Sequence, residues 1–268
     1  MTLISSNCSD LMGIYATEIT SDQEPSDGPL HQRLLKPYHI ISERISGDVL
    51  EVGCGEGRGI GLIIEKAHSF TAIDKIEPAL VALRHKYPGG IFKAMNIPPF
   101  HGLESDTYDF VISFQVIEHI QDDAGYLKEI HRVLKPGGTA FLTTPNRPFS
   151  LTRNPWHVRE YTGDELAALA RKFFKDVEVM GISGNEKVKA YYEENRRSVE
   201  RLTRWDIFNL QHRLPAAMLR LPYEIMNRVN RKLIRKKNTD LVSDIRHDDY
   251  LLISDHQSAL DLFMILKK

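Results

Sequence analysis

The sequence predicts an α/β protein: a doubly wound, largely parallel sheet of seven strands with a helical insertion before the last strand. Three observations carry this. From Val49 onward, short apolar runs of strand length alternate with stretches of helical periodicity, the pattern of strands covered by helices on both faces. The first run, Val49-Leu50-Glu51-Val52, opens directly into Gly53-Cys54-Gly55-Glu56-Gly57-Arg58-Gly59, a turn with glycine at alternate positions. The second run ends on an acid, Asp74, where a doubly wound fold faces the hydroxyls of a nucleotide-like ligand.

Each element follows in order. Residues 1–46 form an N-terminal segment whose Ser26-Asp27-Gly28-Pro29 turn starts a helix running to about Ile45. Residues 47–185 form the core, with strands at Val49–Val52, Phe70–Ile73, Ile91–Ala94, Tyr108–Phe114, Thr139–Thr144 and Val177–Gly181. Pro136-Gly137-Gly138 ends a helix over Tyr126–Leu134, and Gly163-Asp164 opens another at Glu165. Residues 186–249 are helical in composition, broken at Pro215 and Pro222, and strand character returns at Tyr250–Ile253. Residues 250–268 supply the last strand, Leu262–Leu266, which completes the sheet.

Composition bounds the class. A chain of 268 residues with 42% apolar content can bury a substantial core. Two cysteines, Cys8 and Cys54, are too few for a disulfide framework and suit a reducing compartment. There is no basic leader followed by an apolar core, and no apolar run of about 18 residues, so a soluble cytoplasmic protein is expected. The net charge of −1 conceals a division: residues 186–238 hold 14 basic and 6 acidic side chains, while residues 1–185 hold 18 and 24.

The glycine turn lets a backbone approach a ligand closely. A dinucleotide fingerprint would place glycine where Arg58 stands, and Glu51 would repel a pyrophosphate. The same carboxylate suits the positively charged amino-acid end of S-adenosylmethionine. A ligand-free turn is the alternative. The sequence here resembles the class I S-adenosylmethionine-dependent methyltransferases, with a Rossmann-like sheet, over about Val49 to Gly181 plus the last strand. Glu51, Gly53, Gly55 and Gly57 match that family's first motif, Asp74 its ribose-binding acid, and Leu134-Lys135-Pro136-Gly137-Gly138 the turn after its fourth helix. The resemblance implies that Cys54, Lys75, Phe114 and Gln115 also lie against the cofactor, and that Met95-Asn96 lies by its adenine, Asn96 standing where many relatives have Asp. Cys54 reads as a small filler inside the loop, not as a reactive thiol.

Methyl transfer from a sulfonium needs alignment in a dry site, and an oxygen acceptor also benefits from a base or a metal ion. Glu118 and His119, directly after the fourth strand, and His157 in Asn154-Pro155-Trp156-His157 are the candidates. Together they resemble the Glu-x-x-Glu-His arrangement, with a later histidine, of the metal-assisted branch that includes small-RNA 2′-O-methyltransferases and ubiquinone O-methyltransferases. Gln115 replaces the first glutamate. Losing that carboxylate weighs against a divalent metal, so a base or acceptor contact is the leading reading; helix capping is the bland one. Asn146 and Arg147, after the fifth strand, are candidate acceptor contacts or an ordinary turn. His31 and Arg33 on the first helix are candidate lid residues or an amphipathic face.

In the insertion, basic residues from Arg213 to Lys237 alternate with Leu214, Met218, Leu219, Leu221, Tyr223, Ile225, Met226, Val229, Leu233 and Ile234. A packed lid over the acceptor pocket is the first reading and a peripheral membrane contact the second. Nucleic acid is the least supported, since no RNA-binding aromatic pattern is present. The expected activity is methylation of an oxygen on a small-molecule, lipid-linked or saccharide acceptor. A noncatalytic binding subunit acting through the insertion is the alternative, disfavoured by the intact loop and Asp74.

Overall fold

The computed structural model describes residues 25–204, 213–237 and 239–268. Cys8, most of the polar N-terminal segment and residues 205–212 of the insertion lie outside the described residues. Helix α1 (Gly28–Ser42) begins with Pro29 in its first turn and buries Tyr38 and Ile41. Strand β1 (Asp48–Val52) then enters the sheet, followed by the one-turn helix α2 (Ile60–Ile63). Strand β2 (Ser69–Asp74), helix α3 (Glu77–Lys86) and strand β3 (Ile91–Ala94) complete the first half. Strand β4 (Tyr108–Phe114), helix α4 (Asp123–Val133), strand β5 (Leu134–Pro145), helix α5 (Gly163–Ala170) and strand β6 (Asp176–Gly184) form the second. Helix α5 starts where its sequence asks, with Thr162 and Glu165 exchanging a reciprocal capping box.

The sheet order is β3-β2-β1-β4-β5-β8-β6-β7, where β7 is Tyr250–Ile253 and β8 is Asp261–Lys267. The ladders from β3 through to β5 are parallel; β8 runs antiparallel to both β5 and β6, and β7 antiparallel to β6. The sheet therefore has eight strands where the sequence predicts seven. Tyr250–Ile253 is short, yet it pairs in register with Gly181–Gly184 and lengthens the edge. Strand β5 also starts earlier than expected. Leu134 already pairs with Tyr108, and an irregularity carrying Lys135–Gly138 precedes the regular ladder from Thr139.

Because side chains alternate along a strand, the sheet feeds two apolar layers. Val49, Ile112, Phe141 and Phe263 pack with α1 and α3 on one face. Leu50, Val52, Val111, Leu142 and Met264 pack with α4 and α5 on the other. Strand order reverses between β1 and β4, and the crevice beyond their carboxyl ends is where open α/β sheets bind ligands.

Between β6 and β7 the insertion forms helices α6 (Glu186–Thr203), α7 (Ala216–Lys237) and α8 (Thr239–Asp244). Asn185 caps α6 by accepting from Val188 N (3.1 Å). The expected break at Pro222 does not occur. Helix α7 runs through it, giving up the backbone bond that a residue other than proline would donate to Met218. Ile234 and Asn230 are buried, and Asn230 donates to Asn195 on α6 (2.7 Å). No helix among the described residues is long and apolar enough to cross a membrane.

Candidate functional site

Strand β1 delivers Glu51 to the crevice and then turns sharply. Gly53 and Gly55 both have positive φ (76° and 53°), conformations L-residues avoid. A Cβ on Gly53 would collide with Val116, just after β4, so glycine there lets the two crevice loops touch. A Cβ on Gly55 would point into open space, and this is the side on which a ligand has room. Gly57 packs against Leu83, and Cys54 is buried, which pushes its thiol pKa upward and keeps it unreactive. Asp74, at the end of β2, accepts from Gly55 N (2.8 Å) and Ile76 N (2.9 Å) and so fixes the loop it faces.

Glu51 is 1% exposed. Its Oε1 accepts a 2.6 Å hydrogen bond from the Tyr38 hydroxyl, while Oε2 is buried with no donor among the described residues. Burial raises its pKa to about 7, against the pull of the Tyr38 bond and with help from Asp74. An orphaned carboxylate oxygen beside an open glycine turn fits a ligand with a cationic end, as S-adenosylmethionine has. A sign follows for binding. A cationic ligand favours ionised Glu51, so its affinity should climb by up to about tenfold per pH unit below about 7 and level off above. Titration calorimetry from pH 5.5 to 8.5 checks this, and Glu51→Gln should flatten the profile.

The second crevice loop follows β4, where Gln115 takes positive φ (58°) and a 3-10 turn, Ile117–His119, places two candidates side by side. Glu118 is buried; its Oε2 accepts from Thr144 on β5 (3.0 Å), and its backbone carbonyl accepts from Val158 N (2.8 Å). His119 Nδ1 lies 3.0 Å from the Trp156 carbonyl. Since a carbonyl only accepts, Nδ1 carries a proton, and the contact turns Nε2 to the opposite edge of the ring. His157 packs edge-on against His119, with centroids 5.0 Å apart. Its Nδ1 meets Glu160 at 2.6 Å and its Nε2 meets the Asn154 amide nitrogen at 2.8 Å.

Glu118, His119 and His157 each present a ligand atom within 4.8 Å of the others. As a donor set for a divalent ion this is one carboxylate and two imidazoles, one of them engaged at both nitrogens. Gln115 supplies no charge and turns its amide to Thr143 Oγ1 (3.3 Å). Divalent ions do bind to sets of one carboxylate and two imidazoles, but His157 Nε2 would have to give up its Asn154 contact to join this one.

The structure places the remaining candidates as follows. Phe114 is buried edge-on to Tyr38, with centroids 4.8 Å apart. Lys75 and Asn96 are exposed at the ends of β2 and β3. The Asn146 amide donates to the carbonyls of His256 (3.0 Å) and Ala259 (2.8 Å), tying β5 to the turn before β8. Arg147 pairs with Glu165 (2.9 Å) on the surface. His31 Nδ1 lies 3.3 Å from Arg58, while Arg33 grips Asp261 (2.9 Å) and the Tyr192 hydroxyl (3.1 Å). Sequence reasoning missed Tyr38, Thr144 and Glu160, each of which holds a site residue in place. Only Glu160, three residues after His157, left a local signal.

Comparison with known proteins agrees with this fold. A family model described as a methyltransferase domain matches residues 28–213. A Mycolicibacterium smegmatis protein assigned as an S-adenosylmethionine-dependent methyltransferase is 40% identical over 138 residues, 49% of this chain and 53% of its own length. One from Mycobacterium tuberculosis is 34% identical over 175 residues, 61% of this chain and 64% of its own. A ubiquinone biosynthesis O-methyltransferase of Pseudomonas paraeruginosa is 33% identical over 135 residues, 47% of this chain and 57% of its own. The matches thus span between half and two thirds of these relatives' lengths. Among solved structures, a Thermotoga maritima S-adenosylmethionine-dependent methyltransferase superposes with TM-score 0.54 at 15% identity, covering 89% of this chain and 92% of that one. The cyclase SpnF superposes with TM-score 0.51 at 15% identity, covering 86% and 80%. With the family model reaching from α1 to the start of α7's segment, the chain belongs to the methyltransferase-domain family, in its class I S-adenosylmethionine-dependent fold.

Proposed function

We propose that this protein methylates an oxygen on a small-molecule acceptor with an apolar portion, a class that includes lipid-linked and saccharide-bearing compounds. Bound in the crevice, S-adenosylmethionine would supply an electrophilic methyl group on a positively charged sulfur. Glu51 would answer the ligand's ammonium, Asp74 its ribose, and the glycine loop would allow close backbone approach. His119 would take the proton of the acceptor hydroxyl on Nε2, its ring held by the Trp156 carbonyl. His157, backed by Glu160, would pack that ring in place and line the acceptor side.

The observation that carries this reading is the 3.0 Å approach of His119 Nδ1 to the Trp156 carbonyl, which turns Nε2 to the ring edge away from Trp156, one turn from the Val116–Gly53 contact. Two further points support it. Phe149, Leu151 and Val158 are exposed on the segment after β5, a rim suited to an apolar acceptor. Relatives named for ubiquinone biosynthesis O-methylation act, by that name, on an oxygen. The test is transfer of labelled methyl from S-adenosylmethionine to fractions of a cell extract. Label should enter a lipid or small-molecule fraction as a base-stable ether. Label found only on nitrogen, or in no fraction at saturating cofactor, would overturn the proposal.

A further inference from the structure

Helix α7 carries a surface that the methyl-transfer reading does not use. Met218, Leu221, Ile225, Val229 and Leu233 recur every three or four residues, so they share one helix face. All five are between 47% and 61% exposed, whereas Asn230 and Ile234 on the opposite side are buried against the protein. The exposed face is therefore apolar by pattern and open by structure. Arg228 and Arg235 run along its flank, and Lys232 and Lys236 share its arc toward the carboxyl end, all four exposed. Among the described residues no carboxylate pairs with any of these four. Glu224, the helix's one acidic residue, is turned away to the Trp156 indole nitrogen (3.0 Å).

At the carboxyl end of α7, Lys232, Arg235 and Lys236 line a cleft of about 470 Å³ together with Ser26 and Thr239. Three cations and no carboxylate make a lining that suits phosphate oxygens, while the Thr239 hydroxyl donates to the Arg235 carbonyl (3.0 Å). An aliphatic stripe and a phosphate-binding lining thus lie on one helix.

We infer that this face of α7 docks the protein on an anionic phospholipid surface, with the aliphatic stripe seated at the acyl boundary and the basic flank on lipid phosphates. Charge argues for this occupant over others. A second copy of the chain would bring two uncompensated basic flanks together. A single-stranded nucleic acid would find no aromatic ring on the stripe to stack a base. A bilayer satisfies both halves at once. Docking also has a link to the site, because Glu224 and Arg220, whose guanidinium sits 4.3 Å over the Trp156 ring, hold the loop whose carbonyl orients His119. The inference stands independently of the methyl acceptor.

The test uses the full chain with phosphatidylcholine vesicles, with and without phosphatidylglycerol, in co-sedimentation at about 0.15 M salt. Binding to the phosphatidylglycerol vesicles should be at least about tenfold tighter. The pair Ile225→Ser and Val229→Ser should lose most of it, as should Lys232→Gln with Arg235→Gln and Lys236→Gln. These positions are exposed, so S-adenosylmethionine affinity and the thermal melt should stay unchanged and report an intact fold. Equal binding to both vesicle types, no binding to either, or a stable dimer that the Ile225→Ser, Val229→Ser variant dissociates would overturn the inference.

Discussion

Replacing His119 with alanine is expected to lower turnover by roughly 100- to 10,000-fold while S-adenosylmethionine affinity stays within about twofold. The expectation separates proton transfer from cofactor binding, because the groups assigned to the cofactor's ammonium and ribose sit on β1, β2 and the glycine loop. His119 sits on the second crevice loop. A purely structural His119 would instead loosen the Trp156 carbonyl and the loop it belongs to, raising KM with kcat less affected. Exogenous imidazole discriminates further. Partial rescue of His119→Ala by added imidazole fits a missing base, whereas repair of a displaced loop would show no such dependence. Unchanged kcat in His119→Ala would remove it from the chemistry.

The second large effect concerns stability. Arg33 reaches from α1 to Asp261, the first residue of β8, with Nε–Oδ2 at 2.8 Å and Nη2–Oδ1 at 2.9 Å, and its other nitrogen donates to Tyr192 on α6. Asp261 is 1% exposed, so the pair is sealed in. Arg33→Ala leaves a buried carboxylate without its partner and should cost about 3–5 kcal/mol. Equilibrium denaturation checks this. Arg33→Met with Asp261→Leu should recover much of the loss, since the penalty lies in stranding one charge more than in losing the attraction. A loss below about 1 kcal/mol for Arg33→Ala would mean that water reaches Asp261 when the guanidinium is gone. The same pair shows why Arg33 read from sequence as a lid candidate: its partners lie far along the chain, and no local pattern points to them.

Local signals were legible and distant ones were not. Ile91–Ala94 and Tyr108–Phe114 match their strands residue for residue, because each is a compact apolar run bounded by turn formers. The glycine loop and Asp74 were legible for a related reason, since their chemistry is written in consecutive residues. Strand β5 was misjudged at its start because Pro136-Gly137-Gly138 looks like a loop, and only pairing of Leu134 with Tyr108 pulls it into the sheet. Helix α7 likewise passes through Pro222 against the local preference. In the site, Glu51 was evident but the Tyr38 hydroxyl that holds it was not. Nothing in α1 distinguishes Tyr38 from an ordinary buried aromatic until the helix lies against the crevice.

The position of β8 bears on how the protein is made. Lying between β5 and β6, it is an interior strand that leaves the ribosome after every other element of the sheet. Until it arrives, β5 and β6 each present an unpaired edge to other chains, with the whole helical insertion synthesised in between. Assembly of this sheet is therefore a closing step and not an extending one. A pause in translation between β6 and β8 would leave a species with two sticky edges, a natural client for chaperones.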